Sequence, residues 1–135
     1  MKLRIGFRFR ASNHNELDQS LKRATNRYKL SNIGFVTTQG SAAGRPLIYY
    51  PKKNENQKEL CAKIVGIIRD ISNLKISFFE HFKEIILNDF KRYLYLQEIT
   101  PSIYFYCVVE KKSHIRKIRK KIKKHKYKIQ EILNN

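Results

Sequence analysis

Side chains able to do covalent or acid-base chemistry are few and dispersed in this chain. Its four histidines, His14, His81, His114 and His125, include no pair at HxxxH or HxxH spacing, and none adjoins a candidate nucleophile and carboxylate. The eleven acids are scattered, with no paired carboxylates suited to general acid and base work. Gly40 and Gly44 complete neither a Walker loop nor a dinucleotide fingerprint. Cys61 and Cys107 lie on apolar stretches without CxxC spacing, so they read as buried thiols of a reducing compartment. These residues predict no enzyme, no metal and no cofactor.

What the side chains do offer is anion binding. The chain carries 29 Lys and Arg against 11 Asp and Glu, a net charge of +18, which favours an anionic partner that relieves self-repulsion. Lys2, Arg4, Arg8 and Arg10 alternate with Leu3, Ile5, Phe7, Phe9 and Ala11, so one face of the opening segment is cationic. Arg45, Lys52 and Lys53 surround Tyr49 and Tyr50, whose rings could stack on bases or simply belong to a strand. The densest run is residues 111–128, with eleven cations, two histidines and no acid. These cations are Lys111, Lys112, Arg116, Lys117, Arg119, Lys120, Lys121, Lys123, Lys124, Lys126 and Lys128. Ile115, Ile118, Ile122, Ile129 and Ile132 thread one apolar stripe through them. Interfacial membrane helices favour Trp, Phe and Leu over Ile, so the pattern ranks RNA above a membrane.

These groups need elements to hold them. Period-two alternation over residues 1–11 predicts a strand. Asn13 and Glu16 form a capping-box-like pair that opens a helix with Leu17, Leu21, Ala24 and Tyr28 on one face. Strands are predicted at residues 33–38 and 47–50, separated by a loop with Gly40, Gly44 and Pro46 and closed by Pro51. A helix over 57–72 follows from Leu60, Ile64, Ile67, Ile68 and Ile71. Residues 77–96 read as a further helix, with their β-branched and aromatic content leaving a strand open near the end. Residues 102–109 (SIYFYCVV) are apolar on both faces, which predicts a central strand. Ser113 caps a last helix running to about residue 133.

The predicted order is β-α-β-β-α-α-β-α. This is an α+β chain containing a ferredoxin-like split β-α-β-β-α-β unit, with an extra central helix or extended arm. Residues 1–110 form the domain and 111–135 a basic helical extension. The length suits one domain with a real core. No transmembrane run is present, and no cleaved presequence is expected.

Residues 2–36 resemble the small-subunit ribosomal protein ten family, especially its mitochondrial members. Arg4, Ile5, Phe7 and Arg8 match its R-I-x-L/F-R/K strand. His14, Leu17, Asp18 and Ser20 match its D-H-x-x-L-D-x-S helix start, with Asn13 replacing the aspartate. Gly34 and Val36 fit its entry to the second strand, and Lys91 and Arg92 stand for a later K-R pair. The family's G-P-I-P-L-P loop is replaced by residues 37–47 (TTQGSAAGRPL). The resemblance implies a structural constituent of the mitochondrial small ribosomal subunit. Its partners would be ribosomal RNA and neighbouring proteins, with no membrane and no homo-oligomer. The expected RNA contacts are His14 and the cations named above. The second expectation is a DNA-binding regulator, because residues 33–50 resemble the wing of a winged-helix repressor. A small nuclease ranks third, lacking an acidic metal cluster.

Overall fold

The computed structural model describes residues 7–53, 56–74 and 83–134. Helix α1 (His14–Tyr28) starts where local chemistry places it. Asn13 is the N-cap, its Oδ1 accepting from the Glu16 amide at 2.9 Å, while the Glu16 carboxylate accepts from the Ser12 hydroxyl. Lys29 closes the helix in the left-handed region, φ 53°, and its amide donates to the Thr25 carbonyl. The chain continues as β1 (Asn32–Thr37), β2 (Pro46–Tyr50), α2 (Asn56–Ser72), β3 (Glu84–Asn88), β4 (Tyr93–Thr100), β5 (Ile103–Val109) and α3 (Lys112–Leu133).

The five strands form one antiparallel sheet in the order β2-β1-β5-β4-β3. β5 lies at its centre, as its doubly apolar pattern predicts. Alternation along the strands feeds two cores. Ile33, Phe35, Tyr95, Ile99, Phe105 and Cys107 face α1 and α3. Val36, Leu96, Tyr104 and Tyr106 face Cys61, Ile64 and Val65 of α2. The sheet is therefore sandwiched between α2 on one side and α1 with α3 on the other. Both cysteines are free and buried. Among the described residues no helix is long and apolar enough to cross a membrane.

The α+β class holds, but the element order differs from that expected. Residues 1–6, and with them Lys2 and Arg4, lie outside the described residues. Residues 7–11 join no strand ladder, although Phe7, Phe9 and Ala11 are buried and Arg8 and Arg10 exposed. An extended segment alternates its sides whether or not a sheet takes it up, so period two alone could not decide. Ser20 holds the segment instead. Its hydroxyl accepts from the Arg10 amide at 2.7 Å and donates to the Arg10 carbonyl at 2.8 Å.

The helix expected over residues 77–96 is the second correction. Residues 75–82 lie outside the described set, while 84–88 and 93–96 are strands of a hairpin. The turn between them is built by side chains. Asn88 Oδ1 accepts from the Phe90 amide, and Asp89 Oδ1 accepts from the amides of Lys91 and Arg92. Phe90 takes the left-handed conformation, φ 83°. Ile86, Phe90 and Leu94 have the spacing of a helix face, but the turn at Phe90 interrupts it, and across the hairpin Ile86 lies opposite Tyr95 while Leu94 lies opposite Leu87.

Candidate interaction surfaces

The expected binding residues do not form one site. The segment carrying Arg8 and Arg10 packs along α3, with Phe9 against the His125 ring at 5.1 Å and Lys121 Nζ over the Phe7 ring at 5.8 Å. Exposed His14 opens α1 and lines a shallow hollow with Lys128 and Glu131 near the end of α3. These groups are brought together. Arg45, Lys52 and Lys53 lie apart, around the ends of β2, where Lys52 pairs with Asp18 at 2.8 Å and sits over the Tyr49 ring at 4.8 Å. Lys91 and Arg92 lie in the β3–β4 turn, Arg92 reaching Asp89 at 3.9 Å.

Helix α3 displays its cations because its apolar stripe is consumed by the fold. Ile115, Ile118, Ile122 and Ile129 are buried against the sheet and α1. Gln130 Nε2 donates to the Ile99 carbonyl at 2.8 Å and fixes the far end. Lys111, rather than Ser113, takes the N-cap position, with no side-chain cap bond. Two cations have internal duties. Arg119 Nε and Lys123 Nζ reach opposite oxygens of Glu84 at 2.8 and 2.7 Å, tying α3 to β3. Burial by itself raises the Glu84 pKa, but the bonds from Lys123 and Arg119 outweigh it and hold the carboxyl below its usual range. Lys112, Arg116, Lys117, Lys120, Lys124 and Lys128 remain exposed.

The histidines of α3 serve packing. His114 lies against Tyr28 at 4.5 Å and His125 against Phe9. Burial first, then neighbouring lysines, pushes both imidazole pKa values down. The Cys61 thiol is pushed up by burial, a bond with Tyr106 opposing the shift. Among the described residues no group of His, Cys, Asp or Glu could hold a metal ion.

A second surface escaped sequence reasoning. Among the described residues β3 is a terminal strand of the sheet, and Ile86 and Leu87 on it are 46% and 40% exposed. Phe90 in the adjoining turn is fully exposed. On the same side of the sheet as Leu87, α2 carries Leu60, Ile67, Ile68 and Ile71, only partly buried. A groove between α2 and the hairpin is lined by Leu60, Leu87 and Leu94 together with the Glu59–Lys63 pair, 3.3 Å apart. Exposure of an edge depends on which strands pair, so no local pattern in the sequence marks these residues.

No family model and no curated protein matches the chain. Solved structures share its fold. MglB of Myxococcus xanthus superposes with a TM-score of 0.67 at 16% identity, covering 83% of this chain and 89% of that one. The gliding protein MglB of Thermus thermophilus gives 0.66 at 14% identity, over 83% and 84% of the two chains. A Roadblock/LC7 domain from Streptomyces avermitilis gives 0.64 at 7% identity, over 82% and 95%. At these identities the likeness is one of fold.

This likeness overturns the ribosomal reading, together with the ribosomal RNA and protein partners it implied. The matched residues have local duties instead: Asn13 caps α1, Leu17 and Ser20 are buried, and Asp18 pairs with Lys52. Such a strand-like segment, capped helix and glycine can recur without common descent. The DNA-binding alternative falls as well, because the supposed wing is β1 and β2 within the sheet. The expectation of no self-association conflicts with an MglB structure of 14% identity that has a tetrameric arrangement.

Proposed function

We propose that this chain is a non-enzymatic assembly module that associates with a second copy of itself along the β3 edge and the adjoining side of α2. The observation that carries this reading is the contrast between the two edges of the sheet. β2 is blunted at both ends: Pro46, which has no amide to donate, begins it, and Pro51 follows it. β3 contains no proline and carries Ile86 and Leu87, both exposed among the described residues. A strand edge beside exposed apolar side chains favours strand addition, which adds ladder hydrogen bonds and buries the side chains together. The tetrameric arrangement of an MglB with the same fold supports the reading.

Sedimentation velocity over a wide concentration range tests it. The native chain should shift from monomer to dimer or larger species, and Ile86→Lys should weaken association by at least about tenfold. A native chain that stays monomeric at high micromolar concentration would sink the proposal, as would unchanged association of the variant.

A further inference from the structure

The outward face of α3 stands apart from the β3 edge and has a chemistry of its own. The helix spans 22 residues, about 33 Å in length. Opposite its buried isoleucines run Arg116, Lys120, Lys124 and Tyr127, flanked by Lys117 and Lys128. Tyr127 is 73% exposed amid these cations. The first acid along the helix is Glu131, close to its end.

We propose that this face docks the protein onto an anionic membrane surface, its lysines meeting acidic lipid headgroups. Three features favour lipid over nucleic acid. Eight of the ten cations on α3 are lysines, compact hydrated charges suited to a diffuse field rather than to forked phosphate or base recognition. The face is a convex helix side with one exposed aromatic ring, which provides no run of stacking platforms. Tyr127 has an apolar body and a polar tip, the combination that settles at headgroup depth. Docking is by adsorption and not by insertion. The Ile stripe that an inserting helix would need is buried in the core.

Vesicle flotation is the test, using phosphatidylcholine alone and phosphatidylcholine with about one-third phosphatidylserine. The native protein should float only with the anionic vesicles and dissociate in high salt. The triple variant Arg116→Gln, Lys120→Gln, Lys124→Gln should lower partitioning on the order of 100-fold, about fivefold per cation. The pair Lys120→Arg with Lys124→Arg should keep it, and circular dichroism would confirm that both variants are folded. No flotation of the native protein at low salt would overturn the proposal, as would undiminished flotation of the folded triple variant. Preferential capture by a DNA or RNA duplex in a mixture with anionic vesicles would assign the face to another polyanion and overturn it too.

Discussion

Gly34 shows how much a missing side chain can decide. It lies in β1 opposite Tyr49 of β2 and Tyr106 of β5. A Cβ built there would stand 2.8 Å from the Ile48 carbonyl oxygen, the Tyr106 hydroxyl and the Tyr49 Cβ. The vacancy lets the Tyr106 ring lie across the strand, and its hydroxyl donates to Gln57 Oε1 at 2.6 Å. Gln57 in turn donates from Nε2 to the Tyr50 carbonyl at 3.1 Å, which seats the start of α2 on the sheet. Gly34→Ala should therefore cost about 1–3 kcal/mol, as overpacking against backbone does. The measurement is a urea midpoint shift at unchanged slope, and an alanine variant as stable as the native chain would refute it. The glycine itself is plain in the sequence, inside a predicted strand. Its reason is not, because Tyr106 and Ile48 reach it only through strand pairing.

Between elements, Glu84 is the link with the clearest consequence. It takes two cations of α3 and so relates the last helix to the strand at the sheet's edge. Its carboxyl is held below the ordinary value of 4.5, so the folded state favours the ionised form. Stability from this group is present above the unfolded-state pKa and is lost as pH falls through the lower native value. The partners are half exposed, which limits the expected cost of Glu84→Gln to about 1 kcal/mol at neutral pH. That difference should shrink as pH is lowered below 4.5 and disappear once the folded-state carboxyl is protonated, as read from denaturant midpoints of both proteins across an acid series. An equal loss across the series would show that charge is not the cause. The cations of this link were legible as a basic helix. Their acid lay in a segment whose periodicity read as helical, and no local pattern announces a partner on another element.

For the whole molecule, the net charge of +18 is the dominant fact. Much of it lies on one layer, where α3 places exposed lysines over a core it shares with α1. Repulsion within that layer opposes folding and is screened by salt. Raising ionic strength from about 0.01 M to about 1 M shortens the screening length from roughly 30 Å to roughly 3 Å. The melting temperature should rise over that range by a few degrees, as about 1 kcal/mol does in a domain of this size. Calorimetry in sodium chloride checks this, and a flat or falling profile would mean that the ion pairs of Glu84 and Asp18 outweigh the repulsion. Vesicle docking should respond to the same screening in the opposite direction, weakening while the fold strengthens.

The sequence by itself determined the features set within a few turns of chain. The cap of α1, the apolar stripes of α2 and α3, and the doubly buried β5 all follow from spacing and local hydrogen bonding. Tertiary structure decided what depends on remote partners. It settled that residues 7–11 are strapped by Ser20 and join no ladder, and that residues 84–100 form a hairpin beside β5. It also settled that Ile86 and Leu87 stand at an edge instead of in a core. The physical reason is the same each time. A helix closes its hydrogen bonds within its own turn, whereas a strand is completed by chain that lies elsewhere in the sequence.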